Sequence, residues 1–390
     1  HLLTRVVGSH PAVRSSATKS VDARRFDHAR RPPPDDWGDP PRSLTQMPGG
    51  GRGQLQTMKK LLVPPFLILP LIGALAAEGG FLFTTFRDET TAMSEQIYMG
   101  ISEDGRQWES LNGDNPVLVS TVGEKGVRDS FLLRSRDGQK VWLIATDLCV
   151  HRNRDWKRNA QAGSRSIVVW ESSDLVHWTE PRLALVAPRD AGCAWAPEAI
   201  YDEEEGNYLV YWASTTGRDN FSKQRIWAAR TKDFRSFGEP FLYLEKSNHV
   251  IDIHIVRAGD AYYRFVKDDK TKSVSMASSQ KLAGPWQEMP QFIAGRGKNF
   301  EGPICFQLKP AVNAQPPEWC LLLDNVSDRI GPGAFGYMPF LTQDLRTGQF
   351  TPARDFHFPY PFRHGSVLPI TTAERERLKS AYPASEKKER

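Results

Sequence analysis

Cysteine is scarce in this chain. Four occur in 390 residues, at 149, 193, 305 and 320. None forms a Cys-x-x-Cys pair or a zinc-type spacing, so a metal-stapled fold is unsupported and a disulfide-dense scaffold is excluded. The four are equally compatible with pairing in an exported chain and with burial as free thiols. Helix-period patterning is nearly absent; only 372–382 reads as a helix, which argues against bundles and doubly wound α/β folds. The excess of basic over acidic charge is confined to one end. Residues 1–60 hold 11 of the 51 Lys and Arg but 5 of the 46 Asp and Glu, so the remainder carries 40 basic and 41 acidic groups, a net of −1. Nothing beyond the leader argues for a nucleic-acid surface.

The N-terminal region is not core material. Residues 1–57 are rich in Arg, Pro, Gly and Ser and lack apolar periodicity, a composition expected to remain disordered. Met58-Lys59-Lys60 is followed by an apolar stretch over 61–73 and then Ala74-Leu75-Ala76-Ala77. That order is a basic region, an apolar core and a small-residue cleavage site. The expectation is a signal peptide over 58–77, cleaved near Ala76, with 1–57 as over-extended translation and a secreted or periplasmic product. A stable membrane span is disfavoured by the short run and by Pro64, Pro65 and Pro70. No Cys at the cleavage site supports a lipoprotein.

What the rest of the chain does contain is a repeat. Five times a strand-like run leads into a polar turn closed by an aromatic: 102–108, 172–178, 231–237, 278–286 and 342–350. The closing aromatics, Trp108, Trp178, Phe237, Trp286 and Phe350, fall 70, 59, 49 and 64 residues apart. Strand-rich units of this size read as propeller blades, because one four-stranded sheet cannot bury both faces alone. Hairpins are predicted at 131–134 with 141–145, 199–201 with 208–212, 253–257 with 261–266 and 303–308 with 318–323. The fifth unit is split between 81–86, 96–101 and 366–370, so strands from both ends close the ring and remove sheet edges. The predicted fold is all-β, a five-bladed β-propeller over 78–372, followed by a short helical and charged tail at 373–390. A monomer is expected.

The chemistry sits where each innermost strand begins. Asp129, Glu198, Asp252 and Glu301 start four of them and His364 the fifth. In a propeller these positions face one mouth of the axial channel, so four carboxylates and an imidazole converge. Crowded carboxylates push their pKa values apart, as acid–base chemistry on a sugar requires. Trp195, Phe300 and Trp142 are candidate sugar platforms, and Arg128 and Asn325 candidate hydroxyl partners. Trp108 and Trp178 read as packing residues in the turns. The loop 149–165, with His151, Arg152, Arg154, Trp156 and Lys157, is expected to shape one pocket wall.

The ordered set Arg128-Asp129, Trp195-Ala196-Pro197-Glu198, Ile251-Asp252, Glu301-Gly302-Pro303 and His364-Gly365-Ser366-Val367-Leu368-Pro369 resembles glycoside hydrolase family 43, over roughly residues 80–372. The resemblance implies single-displacement inversion on arabinose- or xylose-containing polysaccharide. Asp129 then matches the base, Glu301 the acid and Asp252 the residue that tunes and orients the acid. Glu198 matches substrate binding or support, and is the competing proton donor. His364 matches an axial histidine beside a central ion, calcium or another; no cofactor is required. Inversion implies that Asp129 and Glu301 stand about 6.5–9.5 Å apart. One departure is Ser130, where the family usually has Pro; it bears on the aim of Asp129.

The preferred bond is α-L-arabinofuranosidic, with β-xylosidic second. The alternatives are an exo-galactanase-like glycosidase, a non-catalytic carbohydrate-binding propeller, and an invertase-like retaining propeller. The last lacks its N-terminal Asn-Asp-Pro here.

Overall fold

The structure is a computed structural model and describes residues 79–292, 299–326 and 336–384. The predicted leader, the signal peptide and the last six residues of the tail lie outside the described residues. Five four-stranded antiparallel sheets are present. From the axis outward, blade I is Val127–Arg134, Val141–Asp147, Ser166–Ser172 and Arg182–Leu185. Blade II is Trp195–Asp202, Asn207–Ser214, Arg225–Thr231 and Phe241–Leu244. Blade III is Val250–Ala258, Ala261–Asp268, Ser273–Ser279 and Gln287–Glu288. Blade IV is Phe300–Lys309, Glu318–Asn325, Tyr337–Thr342 and Thr351–Pro352. Blade V joins the two ends: Arg363–Pro369 is innermost and pairs with Phe81–Phe86, then Tyr98–Ser102 and Glu109–Ser110 follow. The predicted propeller and its closure are both present.

The repeated phrase has a local cause. In three blades a Ser or Thr hydroxyl accepts from the N–H three residues on: Ser102 from Gly105, Ser172 from Leu175 and Thr231 from Phe234, each at 2.9 Å. The Asp two residues after the hydroxyl accepts two further N–H groups at 2.8–3.0 Å: Asp104 from Arg106 and Gln107, Asp174 from Val176 and His177, Asp233 from Arg235 and Ser236. Short side-chain acceptors thus satisfy donors that no strand reaches. The Trp108 and Trp178 indoles donate to the carbonyls of Gly105 and Leu175, at 3.1 and 3.0 Å. They are packing residues, as expected.

Apolar burial lies between blades rather than within them. Five clusters fill the five seams. The V/I seam, for example, packs Leu82, Met99 and Ile101 on Leu132 and Leu143. The C-terminal helix, Thr372–Ala381, begins with a capping box of Thr371 and Glu374. It is docked by buried Leu378 in the same seam and by an Arg134–Glu374 ion pair at 2.8 Å, so this part of the tail belongs to the domain. All four cysteines are free and buried. Burial pushes the Cys193 thiol up to about 11, which leaves it inert as a nucleophile at neutral pH. Among the described residues no helix is long and apolar enough to cross a membrane.

The seams predict how the ring fails. Leu82 is fully buried where blade V meets blade I. Leu82→Ala should cost about 2–5 kcal/mol, seen as a lower urea midpoint with an unchanged slope. No loss would show that the closing seam does not bear on stability.

Candidate active site

Each of four inner strands carries the same irregularity at its start. The pairing register slips between Arg128 and Phe131, Trp195 and Glu198, Ile251 and Ile253, and Glu301 and Ile304. One residue in each slip has a left-handed backbone: Asp129 (φ 50°), Ala196 (47°), Asp252 (48°) and Gly302 (53°). A bulge of this kind re-aims side chains, and Asp tolerates the conformation better than most residues. The bulges therefore explain how neighbouring positions on a period-2 strand can both serve the channel mouth. At Gly302 a Cβ would stand 2.6 Å from His364 Cδ2, so the glycine after Glu301 is what lets the imidazole approach.

His364 is the hub. Its Nδ1–H donates to Asp129 Oδ1 at 3.0 Å, and its Nε2 lies 3.2 Å from both Glu301 Oε1 and Asp324 Oδ2. Asp129 and Glu301 thus stand on either nitrogen of one imidazole ring. Asp129 Oδ2 also accepts from Thr146 Oγ1 at 2.9 Å. Glu301 Oε2 meets Lys267 Nζ at 2.5 Å, and its Oε1 meets Arg363 at 3.3 Å. Asp252 accepts from the Gly302 N–H at 3.2 Å and lies 4.0 Å from Lys267. Beside these groups is a cavity of about 20 Å³ lined by Asp129, Ser130, Glu198, Asp252, Tyr337 and His364, room for about one water.

Burial and pairing pull the charges in opposite directions. Burial raises the Asp129 carboxyl, but hydrogen bonding and charge from His364, then Arg128 and Thr146, hold it below the usual range. Burial raises Asp252 and prevails over Lys267 and His364, helped by the nearby Glu301 and Asp129 charges. Burial likewise raises Glu198 against its His254 partner. For His364, burial favours the neutral ring, yet Asp129, Asp324 and Glu301 carry it well above its ordinary value. Glu301, raised by burial, is held well below its usual value by His364 and Lys267. The opposite shifts of Glu301 and His364 share the 3.2 Å contact between them, with Asp129 and Asp324 adding to the one and Lys267 to the other.

The other predicted residues divide. Glu198 lines the cavity, with Oε2 2.9 Å from His254 Nδ1 and accepting from the Tyr211 hydroxyl at 3.3 Å. Trp195 is half-buried, packs against the II/III seam and meets Trp156 edge-to-face at 6.1 Å. Asn325 is half-buried at the end of its strand, opposite Phe300. Phe300 is not a sugar platform. It is 1% exposed and packs on Phe340 in the III/IV seam, because it points to the opposite strand face from Glu301. Trp142, 4% exposed, is likewise core, against Tyr208 and Phe234. Arg128 spends its NH1 on Glu89 (2.6 Å) and Glu95 (3.1 Å) and lies over the Phe86 ring, so it braces the wall rather than offering that donor to a hydroxyl. Ser130 is fixed by a 2.8 Å hydrogen bond to Thr84, a cross-blade tether on the residue after Asp129.

Sequence reasoning did not single out Lys267, Asp324 or Thr146. They stand on the second strands of their blades, beside the inner-strand bulges. The signal available was a charged residue continuing an apolar run, as in Phe265-Val266-Lys267 and Leu322-Leu323-Asp324.

A five-bladed propeller with carboxylates gathered at one mouth is the architecture of a class of glycoside hydrolases. Residues 77–376 match the model of a family-43-related group described as "Probable glycosyl hydrolase domain", and the chain belongs to this family of glycosidases. It is 27% identical over 343 residues to an α-L-arabinofuranosidase of Bifidobacterium longum subsp. longum, a match covering 76% of this chain and 31% of that protein. The chain thus spans about a third of that relative's length. Among solved structures, a family-43 β-1,3-galactosidase superposes with a TM-score of 0.50 at 11% identity, covering 71% of this chain and 57% of that one. An endo-1,4-β-xylanase of Bacteroides thetaiotaomicron gives 0.48 at 15% identity, covering 70% and 90%.

An ion near His364 was expected from the resemblance. Asp252, Glu301 and His364 do bring donor atoms within 4.8 Å of one another. The surrounding charges do not fit a resident cation. The Lys267 ammonium already touches Glu301, Arg363 closes another side, and a histidine must lose its second proton before it can ligate. Burial lowers Lys267, but Asp252, Glu301 and Asp269 hold it charged well past its ordinary value. The chain supplies its own counter-charge. Exhaustive dialysis against EDTA should therefore leave turnover within about twofold of the untreated protein. A large loss restored by calcium would contradict this fit.

Proposed function

We propose that this glycosidase hydrolyses α-L-arabinofuranosidic bonds in plant-type polysaccharide by single displacement with inversion, with β-xylosidic bonds as the second choice. The observation that carries the reading is the line Asp129–His364–Glu301, an ionised carboxylate and a proton-holding pair on opposite sides of one ring. The likeness to an arabinofuranosidase supports the choice of sugar. Asp129 takes a proton from the attacking water. Glu301 gives one to the leaving oxygen, receiving it from His364 across the 3.2 Å contact as the oxygen arrives. Asp252 positions Glu301 through the Gly302 N–H. The signal-like segment at 58–77 supports export, to the periplasm or the medium.

Asp129→Asn should lower kcat by about 10²–10⁴-fold with an unchanged urea midpoint. Proton NMR of the wild-type reaction should show the inverted anomer forming first. Retained activity in the variant removes the base, and a retained anomer removes single displacement.

The pKa directions set the pH profile. Asp129 sits below the ordinary carboxylate value, so the acidic limb of kcat/KM should lie below about pH 4. The Glu301–His364 pair keeps its proton above the ordinary imidazole range, so the basic limb should lie well above pH 6.5. His364→Gln should bring the basic limb down, since Glu301 beside Lys267 and Arg363 cannot hold a proton alone. An unmoved limb would take His364 out of the proton path.

A further inference from the structure

Trp156 is 48% exposed, and no other tryptophan among the described residues stands so far into solvent. Large indole faces are normally buried, so one held outward next to a site calls for an explanation. It is not on a loose segment. Trp156 opens the short helix Trp156–Gln161, capped by the Asp155 side chain accepting from the Arg158 N–H at 3.1 Å. Buried Asn159 donates to the Asn153 carbonyl at 2.9 Å, Arg158 pairs with Glu124 at 2.7 Å, and Thr215 Oγ1 donates to the Ala160 carbonyl. At its other end the Gly163 N–H reaches the Gly192 carbonyl at 2.8 Å. The start of the loop is fixed by fully buried Glu95, which accepts from the Val150 and His151 N–H groups at 2.9 and 2.7 Å.

The same anchors tie the indole to the residues that flank the cavity-lining bulges of blades I and II. Glu95 also binds Arg128, the residue before Asp129, and the Arg128 guanidinium lies 5.8 Å from the Trp156 ring. Trp195, the first residue of the blade II inner strand, meets the same ring at 6.1 Å and 87°. With both neighbours in place Trp156 is still 48% exposed, so part of its indole surface stays open to a ligand. A rigid, exposed ring near a carboxylate-lined cavity is suited to the apolar face of a sugar, since little side-chain entropy is lost on binding.

We infer that Trp156, braced by Trp195, is a stacking platform for an outer sugar ring of the substrate, a unit beyond the one whose bond is cleaved at Asp129. This rests on the glycosidase reading above and extends it to a second sugar subsite on the wall between blades I and II. The platform adds affinity for an oligomer or polymer. It contributes nothing to a substrate with a single sugar and an aryl leaving group.

The test has two arms. In the first, 4-nitrophenyl α-L-arabinofuranoside and linear arabino-oligosaccharides are hydrolysed by wild type, Trp156→Ala and Trp156→Phe. Trp156→Ala should raise KM for the oligosaccharides about tenfold with kcat unchanged and leave the aryl glycoside unaffected, and Trp156→Phe should recover most of the loss. Equal losses on both substrates, or none on either, overturn the platform while leaving the hydrolase reading intact. The second arm is independent of turnover. Calorimetric titration of the oligosaccharides into Asp129→Asn protein should give a Kd about tenfold weaker when Trp156→Ala is added, with the melting temperature unchanged. A folded wild type that binds without cleaving sinks the hydrolase reading but still tests the platform here. Equal affinity with and without the indole overturns it.

Discussion

One buried imidazole joins the blades that do the chemistry. His364 comes from blade V and lies against Asp129 of blade I and Glu301 and Asp324 of blade IV. Bringing carboxylates this close out of water is prohibitive unless positive charge is interleaved with them. Here it is supplied by His364, by Lys267 of blade III and by Arg363 beside the histidine. The cluster is a lattice of alternating charge at the axis. Removing one cation leaves an uncompensated anion, which is why single substitutions are expected to act on several groups at once.

That lattice depends on how the ring is closed. His364 and Arg363 belong to the last inner strand, which is held to Phe81–Phe86 by backbone pairing and by Thr85 bonding both ways with Arg363. Gly365 presses so closely on Thr84 that a Cβ there would stand 1.7 Å from the Thr84 carbonyl oxygen. The two ends of the domain thus meet at the one blade that delivers the hub. On three of the other inner strands, left-handed non-glycine residues within bulges, Asp129, Ala196 and Asp252, store local strain beside the channel. The five apolar seams outside the axis offset that strain.

The fold was legible because its signals are local. Ser172-Ser173-Asp174 and its relatives carry their turn chemistry in the side chains themselves, and the alternating strands that precede them have period 2. The inner-strand carboxylates were legible from their place at strand starts. What was not legible is the bulge. Phe300 and Trp142 lie outside the bulges, in regular pairing, and ordinary alternation sends both into seams rather than to the channel mouth. Lys267, Asp324 and Thr146 were missed because cross-strand register decides which second-strand residue meets the axis, and register depends on the same bulges. The thiols were left open because pairing is a matter of distance, and the fold keeps all four buried and free.

The central claim is that His364 is a charged ring held between two carboxylates, and it can be read directly. Long-range ¹H–¹⁵N correlation on histidine-labelled protein, titrated with pH and assigned with His364→Gln, reports the protonation of each ring nitrogen. Both His364 nitrogens should remain protonated as the pH rises past the ordinary imidazole value near 6.5. A ring that loses a proton near pH 6.5 would contradict it. The line Asp129–His364–Glu301 would then hold no proton on the ring to pass to Glu301.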